Sequence, residues 1–361
     1  MSEKLLLKDV AEKLGLSTTT ISFILNGKGP EMKISQSAID RVFKFVHERG
    51  FKTNHLAKSL ATGKTMTIGL LVEKISDSFF AELAYYIEKS AYEYGYKVIY
   101  CSTDNDNNTA RGIINLFRER HVDAYIIVPT PSIKKEIQSL IDDNIPVVLF
   151  DRYYSGLDCD YVGLDNFESS YNAINHLIHD CGRTNIGFIT TSSKQTQMLG
   201  RLEGYQKAIA ESQLTPLVKR IEFSHQNEFL EKEIRTFLRR NPQIDGLLFA
   251  THYLAMAAIR LLREKKPEEI SFISYDDQPF YNAISPTVTG IAQPIEKMSI
   301  SLVNILIDKM AGGKGCPEPK KIVFPAALHI RESSRCLLPV SAQELNVSQQ
   351  KLEEIEYQNK A

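Results

Sequence analysis

The 361-residue chain has five cysteines, Cys101, Cys159, Cys181, Cys316 and Cys336, with no CxxC pair and no histidine at metal-ligand spacing. Neither a disulfide framework nor a metal site is expected, and the thiols read as reduced and structural. No apolar run approaches the roughly eighteen residues a membrane span needs. The opening "MSEKLLLKDVAEKLG" carries charges where a signal peptide needs an apolar stretch. The expectation is a cytoplasmic chain that does not engage a membrane. Catalytic signatures are missing too: there is no GxSxG elbow and no HExxH zinc helix. "ATGKTMT" contains the Gly-Lys-Thr end of a phosphate loop, but Lys58 occupies the first-glycine position and the stretch precedes its strand. Asp276 and Asp277 are adjacent carboxylates, and adjacent side chains generally point apart. No catalytic residue, metal or cofactor is therefore expected.

What the chain does have is a composition 43% hydrophobic and 24% charged, enough to build two or three folding units. The net charge of -1 hides an asymmetry. Residues 1–63 hold ten Lys/Arg against six Asp/Glu, whereas the remainder carries five more acids than bases. A small basic head on an acidic body suits a polyanionic partner for the head.

In that head Val10, Ala11 and Leu14 fall on one face of a two-turn helix, and Gly15 supplies a turn. Ser17 is a natural N-cap for a second helix ending at Asn26-Gly27. Its Ile21, Ile24 and Leu25 face the first helix, leaving Thr18, Thr19, Ser22 and Phe23 outward. Ser35 announces a third helix with Ile39, Val42, Phe43 and Val46 expected inside, stopping at Gly50. Three such helices make a helix-turn-helix unit, whose second helix enters the DNA major groove. Threonine hydroxyls bond phosphates or base edges, and threonine methyls and Phe23 suit the thymine methyl. Thr18 and Thr19 also read as a bare capping turn, and Phe23 as a contact with the body or a partner subunit.

Beyond Gly63 short apolar runs alternate with amphipathic helices. "MTIGLLV", "KVIYCS", "AYIIVP" and "PVVLF" form one series; "NIGFIT", "GLLFA" and "ISFISY" form another. The expected fold is α/β, two doubly wound parallel-sheet lobes around a cleft, with late segments such as "KIVFP" free to cross back. Ligands of such sheets bind beyond the carboxyl ends of the strands. Phe79, Phe80, Asp151, Arg152, Asp276 and Gln293 follow strands, as do Asp77, Asp165 and Asn166, while Arg201 lies just inside a helix. Charged and amide groups beside aromatic faces suit a polyhydroxylated ligand.

"LLLKDVAEKLGLSTTTISFILNG", followed by "AIDRVFKFVHERGFKTNHLAKSLATGKTMTIGLL", resembles the N-terminus of lactose-repressor (LacI/GalR) family transcription regulators. The resemblance implies DNA contacts at Ser17, Thr18, Thr19, Ser22, Phe23 and Asn26. It also implies a hinge helix with contacts at Asn54, Ala57, Leu60 and Ala61, where Leu60 enters the minor groove. A helix of about two turns there is too short to be stable alone, so it is expected to fold on DNA. Over residues 66–336 the resemblance implies a periplasmic-binding-protein-like body with effector contacts at Phe79, Phe80, Asp151, Arg152, Asn166, Arg201, Asp276 and Gln293. Two departures stand out. Phe23 replaces the polar residue of many members, and Thr251-His252 replaces an Asn-Asp pair.

The expected organisation is a helix-turn-helix domain over 1–53, a hinge over 54–65, a two-lobed effector and dimerisation domain over 66–340, and a tail over 341–361. The tail has too few heptad positions for a coiled coil and reads as a frayed helix. The expected function is a homodimeric, sequence-specific regulator, a repressor of carbohydrate genes, that binds a palindromic double-stranded operator under control of a carbohydrate effector. A sugar-binding transport receptor is the alternative, and an enzyme of sugar metabolism the third.

Overall fold

The computed structural model describes residues 7–25, 27–49, 63–222, 226–263, 269–312 and 318–335. Asn26, the hinge positions Asn54, Ala57, Leu60 and Ala61, and the tail over 341–361 lie outside the described residues. The chain divides into two compact units, Met1–Met66 and Thr67–Ala361.

The first unit contains α1 (Leu7–Leu14), α2 (Thr18–Leu25) and α3 (Gln36–Arg49). Gly15 turns between the first two with φ 64°, a conformation open to glycine at little cost. Ser17 caps α2, its Oγ accepting the Thr20 N–H at 3.0 Å. Val10, Ala11, Ile21, Ile24, Ile39 and Val42 form the core. Phe43, expected inside, is 48% exposed, and Phe45 packs on the core instead. The buried face of α3 is centred on Val42, with Phe43 about 100° round the helix from it and Phe45 only about 60°.

The second unit is built on two six-stranded sheets. Lobe one alternates β1 (Thr67–Val72), α4 (Ser78–Glu93), β2 (Lys97–Ser102), α5 (Asn107–Glu119), β3 (Ala124–Ile127), α6 (Lys134–Asp142), β4 (Val147–Phe150) and β5 (Asp160–Leu164). Lobe two follows with α7 (Asn166–Asn175), β6 (Ile186–Thr191), α8 (Thr196–Glu211), β7 (Leu217–Ile221) and α9 (Asn227–Arg240). It continues through β8 (Gly246–Phe249), α10 (His252–Arg263), β9 (Ser271–Tyr275) and β10 (Thr289–Ala292). The chain then returns as α11 (Ile295–Ala311) and β11 (Lys321–Phe324), and ends its described course with β12 (Ala327–His329).

The strand orders are β11-β5-β4-β3-β1-β2 and β12-β10-β9-β8-β6-β7. "KIVFP" thus crosses back to lobe one, pairing in parallel with β5. The lobes depart from pure parallel pairing at one edge, where β12 runs antiparallel to β10. β3 and β4 are buried along their whole length, as strands covered by helices on both faces must be. The edge strand β2 stays largely open. α11 packs on α4 of lobe one, where the Tyr94 hydroxyl donates to Asn304 Oδ1 at 3.1 Å.

Candidate functional site

A cavity of about 650 Å³ lies between the lobes. Its walls come from the carboxyl ends of the strands: Glu73 after β1, Asn105 after β2, Thr130 after β3, Asp151 and Arg152 after β4, and, opposite them, Ser192 to Gln197 after β6, Thr251 to Tyr253 after β8, Asp276 after β9 and Gln293 after β10. Phe79 and Phe80 from the first turn of α4 line it as well. They meet edge to face, and Phe79 stacks on Phe150. Asp151 and Asp276 occupy the left-handed region, φ 65° and 63°. Each backbone therefore turns sharply as it leaves its sheet, at the strained kind of position found at ligand sites.

Two buried guanidinium groups are fixed before any ligand arrives. Arg152 reaches Glu73 at 2.6 Å, Asp151 at 3.1 Å and Asn105 at 3.3 Å, all within lobe one. Burial works against its charge, and the two carboxylates more than offset that, raising its pKa further. Asp151 is pushed above the ordinary carboxylate range by burial, against the pull of Arg152 and Arg201.

Arg201 donates to Asn166 Oδ1 at 2.8 Å and to the Ala250 carbonyl at 2.5 Å. Its guanidinium carbon sits 3.8 Å from the centroid of the Tyr275 ring, a cation–π arrangement. Asn166 itself is not in the cavity wall. It is buried behind Arg201 and aims it. The close approach of α7 and α8 that allows this depends on Gly204, where a Cβ would come within 2.1 Å of the Phe167 carbonyl oxygen.

The residue that sequence reasoning noticed only as a departure, His252, meets a carboxylate with each of its ring nitrogens. Its Nδ1 lies 2.9 Å from Asp276 Oδ2 and its Nε2 3.2 Å from Asp77 Oδ2. Burial lowers its pKa, but the hydrogen bonds to Asp276 and Asp77 win and carry it up to about 10. Asp276 is fully engaged, its other oxygen accepting from Gln293 at 2.7 Å. Burial alone would raise its pKa; His252 and Arg201 hold it below the ordinary value. Asp277 points away, to Arg331 and His329, as adjacent carboxylates were expected to do. Asp77 and Asp165 both serve as helix caps, accepting from Phe79 N and Glu168 N. Glu73, Asn105, Gln195 and Tyr253 were missed by sequence reasoning. Glu73 alone carried a signal, standing at the end of an apolar run.

Seven of the eight expected effector residues, Phe79, Phe80, Asp151, Arg152, Arg201, Asp276 and Gln293, therefore line one cavity. In the head, Ser17, Thr18 and Thr19 are exposed on α2, while Ser22 and Phe23 are partly buried.

A helix-turn-helix head carried with a two-lobed, ligand-sized cleft is the architecture of a ligand-responsive transcription regulator. A family model described as a periplasmic binding protein domain matches residues 68–314. The ribose operon repressor of Halalkalibacterium halodurans is 28% identical over 91% of this chain and 97% of its own length. The lac repressor dimer bound to operator and an anti-inducer shares the fold at a TM-score of 0.81, with 18% identity over 92% of this chain and all of that one. A LacI family regulator from Enterococcus faecium with bound ribose is 26% identical over 75% of this chain and 99% of its own, at a TM-score of 0.65. The chain belongs to the family described as a periplasmic binding protein domain, and over nine-tenths of its length it is similar to operon repressors of the lactose-repressor (LacI/GalR) kind.

Proposed function

We propose that a homodimer of this chain binds a palindromic operator through its helix-turn-helix heads, and that a sugar or sugar derivative in the cleft sets its operator affinity. The observation that carries this reading is the cleft wall. Two aromatic rings lie beside buried guanidinium, carboxylate and amide groups, which suits a ligand with hydroxyls round its rim and a C–H face. The similarity to a ribose operon repressor and to a ribose-bound regulator supports the same class of effector.

On the DNA side, Thr18 and Thr19 stand exposed at the leading end of α2, the end that meets base edges in this motif. Ser17, Ser22, Phe23 and Asn26 complete the major-groove set, and Asn54, Ala57, Leu60 and Ala61 the minor-groove set. The domains follow from these roles: a DNA-reading head over 1–53, a hinge over 54–65 and an effector body over 66–340, working in the cytoplasm where the operator is.

A second copy suits the outer face of lobe one. Tyr85 and Tyr92 on α4, and Ile99 and Tyr100 on the edge strand β2, are large exposed side chains. Exposed aromatics beside an open strand edge form a surface that association covers. Two-fold pairing also matches a palindrome.

The coupling is a linkage. An effector changes operator affinity only by as much as its affinity differs between the two lobe arrangements. A gel-shift assay on selected duplexes, with and without D-ribose and other aldoses, tests the reading. A sequence-selective complex whose affinity responds to one sugar is expected; equal binding to every duplex, unaffected by any sugar, would overturn it.

A further inference from the structure

His252 belongs to lobe two, at the start of α10, and Asp77 to lobe one, as the cap of α4. They meet across the cleft with Nε2 and Oδ2 3.2 Å apart. The other ring nitrogen faces Asp276. Ionised carboxylates only accept hydrogen bonds, so a ring between two of them must donate from both nitrogens. The buried imidazole is then a cation shared by two anions, one on each lobe.

Several neutral hydrogen bonds also cross the cleft. The Ser78 hydroxyl donates to Gln278 Oε1. Gln195 donates to Asn105 Oδ1 at 3.2 Å and to the Pro129 carbonyl at 3.4 Å. The Tyr153 N–H donates to Thr196 Oγ1 at 3.2 Å. Parting the lobes at these points exchanges each bond for one to water. Parting them at His252 also separates opposite charges in a site where that residue is only 8% exposed, which is the costlier separation.

We infer that His252 is an interlobe latch, anchored to Asp276 on lobe two and gripping Asp77 on lobe one, that biases the cleft toward its closed arrangement before a ligand binds. The consequence for ligand affinity rests on the cleft being the effector site, because Asp276 both anchors the latch and lines the cavity. The latch itself stands on the geometry alone. A ligand hydroxyl that donates to Asp276 would act on the group that holds the lobes together.

The test needs neither ligand nor DNA, so its failure is separate from any failure of the regulator reading. Hydrogen–deuterium exchange is measured on the ligand-free full chain for wild type, Asp77→Ser, His252→Gln and the double variant. Serine still caps α4 but is too short to reach His252. The Tyr153 amide, bonded across the cleft, reports lobe opening; Leu71 and Leu248, in the central strands, report the integrity of each lobe. Exchange at Tyr153 on the order of tenfold faster in Asp77→Ser, no further gain in the double variant and unchanged strand amides are expected. Wild-type exchange at Tyr153 in Asp77→Ser would overturn the latch, whatever His252→Gln does. Effects of the two substitutions that simply add would overturn it as well, since the two groups would then act independently. If His252→Gln also loosens the strand amides, Asp77→Ser alone decides.

Discussion

Asn166 accepts the Arg201 Nε–H at 2.8 Å from behind the cavity wall. A residue expected to touch the ligand thus aims the one that lines the cleft. Removing either should weaken effector binding, but by different routes. Arg201→Ala removes a buried donor set and should abolish the ligand-induced rise in melting temperature. Asn166→Ala should leave a measurable response with affinity reduced about tenfold, the worth of one charge-assisted hydrogen bond. Calorimetric titration with the sugar that moves the wild-type melting temperature checks both.

Asp276→Ala should be more disruptive than either. It removes a cavity carboxylate and strips His252 of its anchor on lobe two. Loss of the ligand response and a lower melting temperature of the free protein are expected together. A free-protein melting temperature equal to wild type would show that Asp276 has no part in holding the cleft.

The pH dependence of stability follows from the sign of the His252 shift. Its folded pKa, about 10, lies above the value of roughly 6.5 expected in the unfolded chain. The stabilisation it supplies is therefore complete below that lower value, declines as pH rises between the two, and is gone above the folded value. Asp276, with a depressed pKa, contributes in the opposite sense, losing its share as acid protonates it. Thermal melts of wild type and His252→Gln should differ most below pH about 6.5, above the acid range in which Asp276 protonates, and converge toward pH about 10. A constant difference up to that pH would mean the ring is not charged in the folded protein.

Tyr100→Lys on the edge strand tests the subunit face. Tyr100 is 47% exposed, so the substitution has little to disturb in the monomer, while two lysines brought together by two-fold pairing would repel. Sedimentation should show a shift toward monomer and gel shifts a weaker operator complex. An unchanged dimer would place the interface elsewhere.

Leu60→Ala should weaken specific operator binding by about tenfold or more while sparing the effector response, as loss of an inserted apolar wedge would. Phe23→Arg should move the preferred base at one position of each half-site toward guanine, which arginine bonds in the major groove. Selection of sites from a random duplex pool checks the second, and an unaltered consensus would remove Phe23 from base reading.

Much of this molecule was legible in the sequence because its signals are local. Continuous apolar runs such as "AYIIV" announce a strand covered on both faces, and the first polar residues after them announce the cleft. Gly15 and Ser17 announce the turn and cap between α1 and α2. What escaped depends on partners remote in the chain. His252 reads as a polar residue at a helix start, and only the fold brings Asp77 and Asp276 to its two nitrogens. β12 is three residues long, too short for a periodic signal, and its direction is set by the chain returning beside β10. Phe43 and Phe45 are equally apolar, and the choice between them rests on which way α3 is rolled against its two neighbours.

Asp77 spends its two oxygens in different directions: one holds the first turn of α4, the other meets His252. α4 is a single rod of sixteen residues, and it carries Tyr85 at its middle and Tyr92 near its far end to the outside. A displacement at Asp77 is therefore delivered, without an intervening loop, to the surface on which a sister subunit would rest. News of an occupied pocket could reach the neighbouring chain along one lever.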